Sequence, residues 1–341
     1  MDKNRVYFLD LLKIIACFAV IMIHVTAENW YTDEITAYWI VNNTYNALAK
    51  WSVPLFVMIS GALFLSRDIP LKKLFIKYIP RMLILLFVWG MFYWCFSARS
   101  ISPDVLLESL KKILSGKVYS HLWYLFMLTG LYLITPIIRG FVRNSEKSVI
   151  FYSIALLFVI QILIPYLKKD IPAVDSFVKA FRISTLSEYL LYYLAGYYLN
   201  NFEIKKWKRI TLYSVAFSSM IIIIIISNVV SFRQGSPHTI YGYFSIGTSL
   251  TAFALFLLFR QSENYLCNAK FRNIISFISP LTFGIYLLHF MIIKIFLKFG
   301  INSNMINPII GAPVTSLLVF LTSGTIICVL SRIPVVKKLV Q

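Results

Sequence analysis

Residues 9–24 read LDLLKIIACFAVIMIH. With Tyr7-Phe8 before it and Val25-Thr26-Ala27 after it, the run exceeds the roughly 18 apolar residues that identify a bilayer-crossing helix. Yet it carries Asp10, Lys13 and His24. A charge at the centre of such a helix costs about 2.5–3.5 kcal/mol on insertion scales, so it faces a partner or a hydrated cavity. The apolar residues of this stretch decide the fold, and its three polar exceptions raise the question of function.

The same apolar pattern continues along the chain. Of 341 residues 59% are hydrophobic, and the mean hydropathy is +0.76. This composition excludes an ordinary soluble domain of that length and predicts an all-α, polytopic integral membrane protein. Ten spans are expected, at 6–26, 45–65, 79–97, 121–139, 148–166, 185–201, 210–231, 240–259, 276–297 and 307–330. Span six is short and rich in tyrosine. No long polar stretch is left for a soluble unit, so residues 1–341 are read as one transmembrane domain.

The net charge is +19. In a soluble protein this would suggest nucleic acid, but Lys and Arg collect on the cytoplasmic loops of membrane proteins. Placing the N-terminus inside gives 19 basic residues in the inner segments and 10 in the outer ones. The first outer loop, 27–44, has no Lys or Arg but has Glu28, Asp33 and Glu34. An even number of spans then puts both termini in the cytoplasm and the protein in the cell inner membrane as a multi-pass chain. A cleaved leader is the competing reading of the first span, since Val25-Thr26-Ala27 would suit a cleavage site. Asp10 and Lys13 interrupt its apolar run, and nine further spans make a removable leader unnecessary. The four cysteines form no CxxC pair and have no metal-ligand spacing. No metal or bound cofactor is expected.

A helix turns about 100° and rises about 1.5 Å per residue. Lys13 and His24 therefore lie about 20° apart in azimuth and roughly 16 Å apart along the axis, with Asp10 about 40° to the other side. Together they make one polar stripe on an apolar helix. Asp10 and Lys13, three positions apart, can pair. Imidazole titrates near neutral pH and suits a general base. A neutral His24 can take the proton of a hydroxyl as that hydroxyl attacks an acyl carbon. Glu28, one turn further on, is either the group that orients the ring or a solvated loop charge. The bland reading of the stripe is an ion pair for helix packing with a histidine at the membrane edge.

The first span carries Arg5, Leu9-Asp10, Lys13, Ala16, Val20 and His24, and further on come WSVPLFVMISGALF at 51–64, HLWYL at 121–125 and SPLTFGIYLLH at 279–289. In this order, and with ten spans, the chain resembles the acyltransferase 3 family of bacterial membrane-bound O-acyltransferases. A basic residue, ten others and then His is the family pattern, which Lys13 and His24 fit. Many relatives have Arg at this position, and Lys lacks the planar fork for bidentate contacts. The resemblance implies transfer of an acyl group, usually acetyl, from acyl-CoA as co-substrate to a hydroxyl of a cell-envelope glycan or its lipid-linked precursor. His24 is then catalytic, with Lys13 beside it and Asp10 holding Lys13. The family's Arg-x-x-Arg, thought to meet the CoA phosphates, is missing. Lys73, Lys77 and Arg81, four apart on one side of a helix, are the nearest match and the expected donor-binding cations. Ordinary positive-inside anchoring would also place basic residues there. The chain stops eleven residues after its last span, as in the stand-alone members that act on surface polysaccharide.

Further candidates, for acceptor binding, are His289 with Tyr286 on the same helix side, His121 with Trp123, and Glu188. Each also has a plain structural reading: a hydrogen-bonded core histidine, an interfacial aromatic belt and a loop edge. Ser60 is a possible nucleophile, although Ser60-Gly61 more often marks close helix packing. Two other functions remain open. One is a transporter or flippase for a glycan or small metabolite, because intramembrane charges also mark transport pathways; against it, no internal repeat is visible. The other is a membrane anchor, in which Asp10, Lys13 and His24 would all tolerate Leu.

Overall fold

The computed structural model describes residues 5–28, 30, 34–166, 189–265 and 268–340. Among them the secondary structure is helical throughout, with no strand. Fourteen helices serve as labels. They are α1 (Tyr7–Ala27), α2 (Ala37–Ala49), α3 (Ser52–Ser66), α4 (Leu71–Ala98), α5 (Pro103–Leu114), α6 (Trp123–Asn144) and α7 (Lys147–Tyr166). They continue as α8 (Leu190–Asn201), α9 (Lys206–Gln234), α10 (Ile246–Gln261), α11 (Ala269–Ile278), α12 (Thr282–Lys298), α13 (Pro308–Leu330) and α14 (Pro334–Val340).

Eight stretches are long and apolar enough to cross a membrane, with α2–α3 and α11–α12 each counting as one. They match eight of the ten expected spans. The other two positions hold shorter helices. α8 has 12 residues, and the first part of span six, including Glu188, lies outside the described residues. α10 has 16 residues and begins later than expected. Ser245 caps it by accepting a hydrogen bond from the Thr248 N–H (3.2 Å), so residues 240–244 form a loop instead of the start of a span. Side-chain caps of this kind satisfy backbone donors that a helix start leaves unpaired. Thr36, Ser102 and Asn307 cap α2, α5 and α13 in the same way.

The amphipathic α5 packs beneath α4, where Ile113 approaches Gly90. α4, α7 and α9 turn apolar residues outward, among them Ile84, Phe151, Leu156, Ile222 and Ile225, as lipid contact requires. α1 lies at the centre and touches α2, α3, α12 and α13.

The closest crossing is between α3 and α8. A Cβ on Gly61 would sit 1.9 Å from the Tyr193 carbonyl oxygen, and one on Gly196 would sit 1.9 Å from that of Met58. Small residues let membrane helices approach to backbone contact, which accounts for Gly61 without a catalytic role. Both ends of the described chain lie at the same end of the bundle. Arg5 donates to the Ser276 carbonyl (3.4 Å), and at the other terminus Val340 lies against Gly284.

Two local features set up the site. Lys50 and Trp51 break the second span into α2 and α3. A π-helical turn, Leu74–Tyr78, interrupts α4. Such turns bond i to i+5 instead of i to i+4, so residues four apart across the turn no longer share a side.

Candidate active site

The polar stripe of α1 faces inward. At its basic end, the Asp10 carboxylate accepts from Arg5 (2.6 Å), Lys13 (3.0 Å) and the Ser279 hydroxyl (2.8 Å). Asp10 is thus buried but fully engaged, as a buried carboxylate must be. Glu263, after α10, accepts from the backbone N–H groups of Tyr7 (3.2 Å) and Phe8 (2.7 Å), satisfying donors that the first turn of α1 leaves open. One turn beyond Lys13, the buried Cys17 thiol donates to the Thr282 carbonyl (3.4 Å) and ties α1 to α12.

Two cavities meet on this stripe. The wider one, about 880 Å³, opens at the basic end between Arg5, Asp10, Lys13, Arg67 and Ser279. The second, about 330 Å³, runs into the bundle. Its lining starts at Lys13, Ser279, Tyr78 and Arg81 and includes Ser60, Phe64, Tyr124, Tyr132 and Tyr286. It also takes in His24, His121, Trp123 and Tyr243. Lys13, Leu63 and Ser279 border both cavities, so Lys13 stands at their junction. The route from Lys13 to His24 follows α1 for 11 residues, roughly 16 Å.

At the far end three histidines converge from α1, the start of α6 and α12. The ring centres of His24 and His289 are 5.2 Å apart, those of His121 and His289 5.2 Å, and those of His24 and His121 6.4 Å. Phe290 stacks on His121 at 5.3 Å and meets the His24 ring edge-on at 5.4 Å. The Tyr286 hydroxyl donates to the His121 carbonyl, and the Tyr93 hydroxyl, from α4, donates to the Leu287 carbonyl at 2.8 Å. His289 is fully buried, and its Nδ1 lies 2.5 Å from the Tyr286 carbonyl. A carbonyl only accepts, so Nδ1 carries the hydrogen. The His289 Nε2 is then a bare acceptor, and it has no partner among the described residues.

The cavity brings together His24, Lys13, Arg81, His121, Trp123 and Tyr286, while Asp10 lines the wider mouth and His289 closes the histidine cluster from behind. Lys73 and Lys77 are exposed and border neither cavity. The π turn lies between Lys73 and Arg81 and breaks the single side expected for the three cations. Glu28 does not orient His24; its carboxylate accepts from Lys294 at 2.8 and 3.0 Å. The Ser60 hydroxyl donates to the Phe56 carbonyl (3.0 Å), a bond within its own helix. The cavities also take in Arg67 and Tyr243, which the sequence reading did not single out, and Arg5, quoted there only as part of the first-span motif. Loop residues such as Tyr243 carry no periodic signal.

An all-helical bundle with a largely apolar cavity between a basic mouth and a histidine cluster defines a class: multi-pass membrane proteins with an internal pocket. A family model described as an acyltransferase domain, that of the acyltransferase 3 family, matches residues 6–332, and the chain belongs to that family. It is a membrane acyltransferase. No curated protein and no solved structure compared with it matches.

Proposed function

We propose that the protein moves an acetyl group from acetyl-CoA to a hydroxyl of a cell-envelope glycan or of its lipid-linked precursor, in the inner membrane. One observation carries this reading: a cavity at the basic mouth and a cavity reaching the histidine cluster share Lys13, Leu63 and Ser279 as a common wall. The excess of Lys and Arg on the loops at the mouth side makes that side cytoplasmic, where acyl-CoA is found. Arg5, Arg67 and Arg81 would meet the CoA phosphates as charge-assisted donors. The pantetheine arm then follows the α1 stripe toward His24.

At the far end His24 takes the proton of the acceptor hydroxyl as its oxygen bonds to the thioester carbon. The tetrahedral intermediate collapses with cleavage of the C–S bond. The CoA thiolate leaves and receives the proton from His24, so protons and charges balance. His289 supports this role: its ring centre is 5.2 Å from that of His24, and an Nε2 without a partner among the described residues would accept the N–H of a neutral His24 once the rings turn toward each other, leaving the other His24 nitrogen free as base. Lys13, held by Asp10, supplies positive charge along the path of the acyl group.

The test uses membranes or purified protein with radiolabelled acetyl-CoA. Label is expected on a glycan, and His24→Ala is expected to lower labelling about 10²-fold or more, the usual worth of a general base. A variant that still transports a glycan or metabolite, in a system where acetylated product never forms, would overturn the proposal in favour of transport.

A further inference from the structure

Lysine is seldom left without an anion deep in a membrane protein, because the charge is costly there. Most of the other cations set deep in these helices are engaged. Lys13 bonds Asp10 and Lys294 bonds Glu28, and Arg139 donates to the carbonyls of Phe64 and Ile69. Arg81 has no carboxylate partner among the described residues, but it lines the cavity and serves the proposed donor end. Lys50 has a different setting. It stands at the break between α2 and α3, half-buried. Among the described residues its ammonium has no carboxylate partner. It lies over two aromatic faces instead, 5.3 Å from the ring centre of Tyr243 and 5.9 Å from that of Tyr241.

The surroundings of Lys50 have the character of a sugar site. Tyr243 and Trp123 both line the cavity beside His24, with ring centres 5.8 Å apart and a 37° tilt. Tyr189 extends the platform, 5.6 Å from Trp123. Burial raises the Tyr243 phenol to about 12, so it stays neutral and keeps its hydroxyl hydrogen at physiological pH. An aromatic shelf with one uncompensated cation beside a candidate base matches a sugar ring bearing a carboxylate or phosphate.

Building on the acyltransferase reading, we infer that the acceptor is an anionic glycan whose negative group pairs with Lys50 while its ring lies on Trp123 and Tyr243. Neutral glycans would leave the half-buried Lys50 charge unmatched, which disfavours them.

The experiment again begins with membranes holding the full-length protein and radiolabelled acetyl-CoA. The labelled glycan is passed over an anion exchanger before and after two treatments: carbodiimide–borohydride reduction, which neutralises carboxylates, and hydrofluoric acid, which removes phosphate esters. Retention that one treatment abolishes supports the inference and names the anion. The isolated glycan then serves as acceptor for Lys50 variants. Lys50→Met is expected to raise the half-saturating glycan concentration about tenfold, as for loss of one charge-assisted hydrogen bond. Lys50→Arg is expected to restore most of the affinity. Label on a glycan that flows through the exchanger overturns the inference and leaves acyl transfer standing, as does an unchanged half-saturation in Lys50→Met. Absence of any label with the unaltered protein overturns acyl transfer itself.

Discussion

His289 is the residue whose chemistry follows most directly from its surroundings. Its Nδ1 hydrogen is committed to the Tyr286 carbonyl, so it can offer His24 only a lone pair. Replacing it with Gln keeps an acceptor, while Leu removes it. His289→Gln is therefore expected to keep kcat within a few-fold, and His289→Leu to lower kcat by about 10²-fold with little change in KM for acetyl-CoA. Measuring kcat and KM separately for both variants separates orientation of His24 from simple packing, since a packing role would rank Leu at least equal to Gln. Asp10 gives a second residue-scale prediction. Removing it leaves Arg5, Lys13 and Ser279 facing no anion. Breaking a buried pair costs about 3–5 kcal/mol; the partly exposed Arg5 and Lys13 bring Asp10→Ala to about 2 kcal/mol, read as a fall in thermal unfolding temperature in detergent.

Individual elements show where the sequence was legible. The azimuths of Asp10, Lys13 and His24 followed from helix geometry because α1 is an uninterrupted α-helix. The same reasoning failed for Lys73, Lys77 and Arg81, because nothing in LFIKY at 74–78 announces a π turn. The loop at 240–244 was hidden for a related reason: its residues are as apolar and aromatic as a span, and only the Ser245 cap separates them from α10. The π turn leads to a measurable contrast. Arg81→Ala is expected to raise KM for acetyl-CoA about tenfold, the worth of a charged hydrogen bond, while Lys73→Ala and Lys77→Ala stay within about twofold of the unaltered protein, being surface cations. The α3–α8 crossing leads to another. Gly61→Ala and Gly196→Ala each force a methyl group into a backbone carbonyl. Overpacking of this kind costs about 1–3 kcal/mol or more, seen as loss of folded protein after mild heating and as lower expression.

For the whole molecule, composition was enough for the class, and the motif set pointed to the family. Positions 121 and 289 lie far apart in the chain, and only the packing of α6 against α4 and of α12 against α1 brings His121 and His289 to His24. No periodicity within a single helix encodes that convergence. Loop charge, by contrast, is readable directly and gives the bundle an expected orientation. Glu146→Cys, between α6 and α7, is expected to resist a membrane-impermeant maleimide in intact cells and to react after permeabilisation. Ser236→Cys, after α9, is expected to react in both conditions. The reverse pattern would turn the bundle over and place the basic mouth away from acyl-CoA.

The direct contact of backbone on backbone at Gly61 and Gly196 also bears on motion. With no side chain between them to act as a bearing, α3 and α8 cannot slide past one another without their carbonyls colliding. They behave as a fixed post, and any breathing that lets a bulky acceptor in or out falls to the looser walls around it, foremost α4, which borders the cavity through Tyr78, Arg81 and Met82.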